Sequence, residues 1–302
     1  MTEPYLKQAL TVEAQVEKLV SRGLIIADAE AAAIKLSCIS YYRLSAYSFP
    51  FRIRTAQDGV TNQLIAGTTF ERVLALYDFD RALRLLVMDA IERIEIAVRT
   101  QLTYHFSLKY GPFGHQEARN FHAKFEHAVW LDNIQSEVTR SSDEFINHYR
   151  EKYDNFPVLP LWMLTEVMSL GSLSRVYRGL VPDDKRAISN HFGLHHKRLS
   201  DWLHTLTYVR NVCAHHSRLW NRELAIRPDQ TREPEWSRPI TPRNDRVFYV
   251  LLMLKHFLNA AGNAADWTAE VNHILTPLAI NRQWRAAMGV PDDWINHPIW
   301  SR

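Results

Sequence analysis

At 302 residues, with 46% hydrophobic and 23% charged side chains, the chain suits one large domain or a principal domain with a smaller attachment, and its composition excludes wholesale disorder. A formal charge of +3 is too small to mark a nucleic-acid binder by itself, but 27 of the 36 basic residues are Arg, whose planar fork suits phosphate and stacks on bases. No run approaches about 18 consecutive apolar residues and no charged-then-apolar leader opens the chain, so neither a membrane span nor secretion is expected.

Only ten glycines interrupt the sequence, which favours helices. Residues 6–22 and 28–39 read as two short amphipathic helices, with Gly23 stopping the first and Asp28 capping the second. The aromatic stretch Tyr41-Tyr42-Arg43-Leu44-Ser45-Ala46-Tyr47 follows, and then a polar connector from Thr55 to Thr68 that contains Gly59 and Gly67. Phe70 to Leu108 is a long helical pattern carried by Leu74, Tyr77, Leu85, Met88, Ile91, Ile94, Val98 and Leu102, ended by Gly111-Pro112-Phe113-Gly114. His122 to Tyr149 forms a more polar pattern, and Pro157 and Pro160 open another over Leu161 to Tyr177.

Asp183 or Asp184 is expected to cap a short helix that ends near Phe192. After Gly193, residues Lys197 to Ala214 form a helix whose stripe Leu199, Trp202, Leu203, Leu206, Val209 and Cys213 faces a core. A loop with Pro228, Pro234, Pro239 and Pro242 comes next, then helices over Val247–Leu258 and Ala269–Ile280. The tail, Met288 through Trp294 to Trp300, is aromatic enough to dock. No strand-period segment of consequence is visible. Cys38 and Cys213 lie far apart in apolar stretches, the pattern of buried free thiols, and fit a reducing cytoplasm.

Chemistry concentrates where the Lys197–Ala214 helix ends, in Arg210-Asn211-Val212-Cys213-Ala214-His215-His216-Ser217-Arg218-Leu219-Trp220-Asn221. Arg offers a permanent forked donor to phosphate, His moves protons near neutral pH, and Asn can hold either in place. An Arg separated from a His by four to six residues is weak evidence alone: 27 Arg, 14 His and three allowed spacings in 302 positions give roughly four chance matches, and the chain has five. They are Arg99 with His105, Arg186 with His191, Arg198 with His204, and Arg210 with His215 or His216. Only Arg210 is followed by an amide and by a continuing polar cluster. On a helix Asn211 and His215 share a face, whereas Arg210 and His215 stand about 140° apart.

With that cluster, Tyr41-Tyr42-Arg43-Leu44-Ser45-Ala46-Tyr47, Leu76-Tyr77 to Leu83-Arg84, Ile91-Glu92 to Glu95, Leu161-Trp162-Met163 and Met288-Gly289 to Trp294 in this order, the chain resembles the Abi-like family of bacterial abortive-infection proteins, of the AbiD and AbiF type, within the HEPN superfamily. The resemblance implies an all-α fold: a HEPN-type helical bundle at 67–262, preceded by an N-terminal helical hairpin subdomain at 1–66 and followed by a C-terminal helical tail at 263–302. It further implies a metal-independent endoribonuclease acting as an abortive-infection or toxin effector in phage defence. Arg210 and His215 would be its catalytic pair, with Asn211 as the polar residue beside the Arg. His215 would take the RNA 2′-hydroxyl proton while Arg210 stabilises the phosphorane. The partners implied are RNA, a second copy completing a composite site, and a cognate antitoxin, protein or RNA. The alternative is a catalytically inactive HEPN module that binds RNA or a protein.

Other readings stand beside these. His216, Arg218 and Asn221 suit substrate binding or structural hydrogen bonds equally. Tyr42 and Arg43, with Tyr41 and Tyr47, suit a stacking platform for unpaired bases or core packing. Glu92 and Glu95 suit ion pairs with Arg99 or Arg84, or the orientation of Arg210. A zinc site from His195, His196, His215 and His216 is disfavoured because adjacent imidazoles on a helix point apart. No cofactor is expected, since no Gly-rich phosphate loop is present.

Overall fold

The computed structural model describes residues 4, 6, 8–57, 59–238, 240–262, 264–277 and 282–302. Lys7 in the first expected helix, Asp58 in the connector, Pro239 in the proline-rich loop and Ile280 at the end of the expected C-terminal helix lie outside the described residues. The fold is all-α: helices make up 66% of it, beside a two-stranded sheet. Two compact units divide the chain, Met1–Ala82 and Leu83–Arg302.

In the first unit, α1 (Val12–Ser21) starts where the Thr11 side chain accepts the Ala14 N–H, and α2 (Ala29–Ile39) starts where Asp28 accepts that of Ala31. Gly23, at φ 88°, makes the turn between them. Only Ala32 and Leu36 of α2 are buried, so Cys38, about 200° around the helix from Leu36, is exposed rather than buried. α3 (Tyr41–Ser48) carries the aromatic motif.

The expected polar connector is in part a hairpin, β1 (Arg52–Thr55) against β2 (Gly59–Leu64), antiparallel with Thr55 opposite Gly59. Its signal was faint because seven of the ten strand positions are exposed, which removes the apolar alternation that marks a half-buried strand. β-branched Ile53, Thr55, Val60 and Thr61 favour the extended backbone, and the Leu64 N–H bonds to the Arg22 carbonyl at 2.8 Å.

The division between units falls within α4 (Phe70–Tyr110). In the second unit this helix buries Leu83, Val87, Ala90, Ile91, Ile94, Val98, Leu102 and Phe106 at helical spacing, while Leu85, expected on that stripe, is 55% exposed. Then come α5 (His127–Arg140), α6 (Glu144–Lys152), α7 (Leu161–Val167) and α8 (Leu170–Gly179). The single helix expected over Leu161–Tyr177 breaks after Val167: Ser169 caps α8 through the Ser172 N–H, and the Met168 carbonyl accepts from Arg99 at 3.0 Å.

α9 (Pro182–His191) has Val181 at its N-cap and Pro182 at its first position, so Asp183 and Asp184 occupy the first turn instead of capping it. Asp184 is buried and accepts from the Tyr110 hydroxyl at 2.9 Å. α10 (His196–Ala214) follows, then α11 (Pro234–Ser237) and α12 (Val247–Ala260), which is buried on nearly every face. Against this central helix lie the rings of the tail: Trp300 is 6.1 Å from Phe248 and 5.4 Å from Trp294. α13 (Ala264–Leu275) starts five residues before the expected position, and α14 (Arg282–Met288) precedes the docked tail.

Candidate active site

Helix α10 is held by its buried stripe, Leu199, Trp202, Leu203, Leu206, Val209 and Cys213, the side expected from the sequence. It ends by a left-handed turn. The Ser217 N–H reaches back to the Val212 carbonyl and the His216 N–H to that of Cys213, both at 2.9 Å, with His216 at φ 53°. Glycine usually fills that position, and an L-residue in the left-handed region costs about 1–2 kcal/mol. The turn returns Leu219 and Trp220 to the core, where the Asn221 carbonyl accepts from Arg246 at 3.2 Å.

His215 caps the helix with nearly helical dihedrals (φ −84°, ψ 13°), and its N–H bonds to the Asn211 carbonyl at 3.0 Å. Asn211 and His215 therefore share one exposed face. Arg210, about 140° away, is half-buried and lines an open groove of about 720 Å³ with Asp89, Glu92, Glu95 and Arg99 of α4 and Ala214 of α10. Among the described residues no hydrogen bond joins Arg210 to His215 within the chain.

Glu95 links the groove's two arginines. It bonds to Arg99 at 2.9 Å and feels the charge of Arg210. Burial raises its carboxyl above the usual range, the two guanidinium groups pull it down, and Glu92 adds a smaller upward push. Arg99 bonds through its two terminal nitrogens to Glu95, to Glu166 at 3.2 Å and to the Met168 carbonyl, while its buried Nε has no partner among the described residues.

The five chance-level Arg–His matches now separate. Arg99 pairs with Glu95, Arg186 with Asp183, and Arg198 with Glu233 at 2.6 Å. Among the described residues Arg210 is the one arginine of the four in no ion pair. A cation next to two carboxylate-bearing turns yet uncommitted to either is available to a phosphate.

The Abi-like protein family model matches residues 34–221, from within α2 to the end of this cluster. The chain belongs to the Abi-like family. No curated protein and no solved structure matches it. Membership suggests a function in abortive infection. No helix of the described residues is long and apolar enough to cross a membrane.

The remaining motif residues of this Abi-like chain are distributed as follows. Arg218 and Asn221 are half-buried and His216 exposed, and the Asn221 Oδ1 has no hydrogen-bond partner. In the first unit Tyr42 is 87% exposed and Arg43 half-buried. Tyr47 is core: its hydroxyl donates to the buried Asp80 at 2.6 Å and its ring meets Tyr77 edge-on at 5.2 Å. Tyr41 accepts a hydrogen bond from Arg22. Tyr42 is thus the one tyrosine of this motif with its ring open to solvent.

The four-histidine metal reading fails on distance. His195 and His196 lie together at the start of α10, ring centroids 4.4 Å apart, and His215 is about 28 Å further along the helix axis. Among the described residues no three His, Cys, Asp or Glu side chains could hold a metal ion. Asp89 and Arg99 as neighbours of Arg210 escaped the sequence reading. They are more than a hundred positions from it, and no local pattern encodes which turn of α4 faces α10.

Proposed function

We propose that this Abi-like protein is an endoribonuclease of the HEPN type, an abortive-infection or toxin effector that cleaves RNA without a metal. The observation that carries the reading is the uncommitted Arg210 at the end of the helix that exposes Asn211 and His215. The reaction asks for a proton acceptor and a cation. Neutral His215 takes the 2′-hydroxyl proton, the 2′-oxygen bonds to phosphorus, and Arg210 stabilises the charge of the phosphorane. The P–O5′ bond breaks and the departing oxygen takes up a proton, leaving a 2′,3′-cyclic phosphate and a 5′-hydroxyl. Glu95, whose carboxyl feels the charge of Arg210 without an ion pair to it, is the positioning residue that orients the guanidinium by this longer-range attraction.

The offset between Arg210 and His215 supports a homodimer in which one chain's Arg210 works with its partner's His215. Exposed Leu85 and Ile96 on the wall of the Arg210 groove provide apolar surface for such a contact. His216, Arg218, Asn221, Tyr42 and Arg43 bind substrate in this reading. A cognate antitoxin, protein or RNA, restrains the enzyme in the cytoplasm.

Purified protein incubated with EDTA and single-stranded RNA is expected to give cyclic-phosphate ends, and Arg210→Ala or His215→Ala to leave the RNA whole. Intact RNA with the unmodified protein, under conditions where RNA binds, would refute cleavage and favour the inactive binding module. Verified mixed dimers of the two variants are expected to regain partial activity; no regain refutes the shared site.

A further inference from the structure

A second polar groove lies at the opposite end of α10. It encloses about 400 Å³ between α8, α9 and the first turns of α10, and its lining includes His122, Arg178, Lys185, His196, Lys197 and His204. An adjoining groove shares His122 and Arg178 and adds Lys124, Arg175 and one carboxylate, Glu126. Asp201 is the one carboxylate lining the first groove; its Oδ2 accepts the Asp229 N–H at 2.8 Å, and it feels the charges of His204 and Arg178. Among the described residues Arg178, Lys185 and Lys197 enter no ion pair.

The fold holds these cations together against their repulsion. The buried Tyr177 hydroxyl shares its one proton between the carbonyls of Lys185 at 3.0 Å and His196 at 3.3 Å, tying α9 and α10 to α8. An antiparallel bridge between Phe121 and Leu180, with the His122 N–H on the Gly179 carbonyl at 2.8 Å, sets His122 beside Arg178. Gly179 is required there, since a Cβ would come within 2.5 Å of the Phe125 ring. Burial and the charge of Arg178 lower the Lys185 ammonium pKa; burial, with His195, Arg186, Lys185 and Lys197, lowers that of His196. A site assembled from like charges in a polar concavity is stabilised by an anion that fills it.

The face of α10 gives the anion a direction. Lys197, Asp201, His204, Tyr208, Asn211 and His215 follow one another at three- and four-residue steps on one face; Lys197, His204, Asn211 and His215 are exposed along it, while half-buried Asp201 and Tyr208 hold the N–H groups of Asp229 and Ala225 from the following loop. The separation along the axis is about 17 Å from His204 and about 27 Å from Lys197. At roughly 3.4 Å per stacked nucleotide, that is about five to eight nucleotides.

We propose that the α8–α9–α10 groove is a second phosphodiester-binding subsite, which holds the backbone of a single RNA strand laid along α10 while the bond to be cut lies at the Arg210–His215 end. The inference rests on RNA being the substrate and does not depend on cleavage. Substrates long enough to span α10 gain affinity from the groove, and shorter ones do not.

The test is binding of labelled 4-mer and 16-mer oligoribonucleotides to full-length His215→Ala protein, with and without Arg178→Ser, Lys185→Gln and Lys197→Ser together, over a range of salt. The triple change is expected to weaken the 16-mer at least about tenfold and reduce the slope of log affinity against log salt by about 2, since each phosphate contact on a single strand contributes about 0.7. The 4-mer is expected to change less than about twofold. If the triple variant does not fold, Arg178→Ser with Lys197→Ser, both at exposed positions, is expected to reduce the slope by about 1.4. An unchanged 16-mer slope, or equal losses for both lengths, overturns the proposal. So does groove-dependent binding of inorganic pyrophosphate with 16-mer affinity untouched, which would assign the site to a small phosphate. RNA bound through the groove by the unmodified His215 chain yet left intact would sink the nuclease reading alone; cleavage and binding indifferent to the groove would sink this one alone.

Discussion

Two family-motif segments of this chain each adjoin a non-glycine residue at positive φ, Ser40 at 67° before Tyr41-Tyr42-Arg43 and His216 at 53° after Arg210-Asn211. Their polar groups are engaged differently. Around Ser40 several are engaged within the unit: Tyr47 bonds to buried Asp80, Tyr41 to Arg22, and the Ser40 side chain accepts the Arg43 N–H at 3.3 Å to start α3, while Tyr42 stays exposed. Around His216 the helix end turns outward, leaving Asn211, His215 and His216 exposed while Val212, Cys213, Leu219 and Trp220 of the same segment are buried. Motifs that stand out equally in sequence thus differ in how far their polar atoms are engaged by the chain's own groups, and the proposed chemistry uses the less engaged one.

His215→Ala is the strongest way to break this contrast. Cleavage of single-stranded RNA is expected to fall roughly 10²- to 10⁴-fold, the usual contribution of a general base, with stability within about 0.5 kcal/mol in urea denaturation. Activity retained, or a large loss of stability, would make His215 structural. Tyr47→Phe is expected to do the reverse. It removes a donor from buried Asp80 and costs about 1–3 kcal/mol, while cleavage per folded molecule is kept.

Glu95→Gln sharpens the comparison because Glu95 belongs to both sides. Cleavage is expected to fall about tenfold as Arg210 loses its guide. Stability is expected to hold or rise. The sign follows from the raised carboxyl pKa: the folded state binds its proton more tightly than the unfolded chain, so Glu95 adds stability as pH falls through its raised range and detracts above it. Urea midpoints of protein and variant should converge on acidification, and a variant less stable at neutral pH would contradict the argument. Tyr42→Ala is expected to weaken RNA binding by about 1 kcal/mol with no change in melting temperature, as for one stacked base lost from an exposed ring.

The smallest effect compares the two strained residues directly. His216→Gly relieves the left-handed conformation but frees the unfolded chain, for a net gain of about 0.5–1 kcal/mol. Ser40→Gly gains less, because it also deletes a cap worth a few tenths of a kcal/mol. Equal gains in thermal denaturation would show that the Ser40 side chain does nothing for α3.

Elements whose signal is local were legible in the chain. Asp28 as a cap, the stripe from Leu199 to Cys213, and the docked tail around Trp294 and Trp300 each rest on residues within a few turns of one another. The misses share the opposite cause. The β1–β2 hairpin buries too little to show a pattern, the Met168 carbonyl at the α7–α8 break is taken up by an arginine 69 positions earlier, and Cys38 and Leu85 lie on helix faces that only packing could sort.

The candidate site divides the same way. Asn211 and His215 share a face because helical spacing requires it, and the sequence alone determined this, together with the family and the all-α class. Which of four arginines stayed out of an ion pair, which tyrosine was left in solvent, and that Arg178, Lys185 and Lys197 gather at one end of α10 were decided by tertiary structure. Ion pairing and burial depend on which distant helix supplies the neighbour, and no spacing along the chain records that.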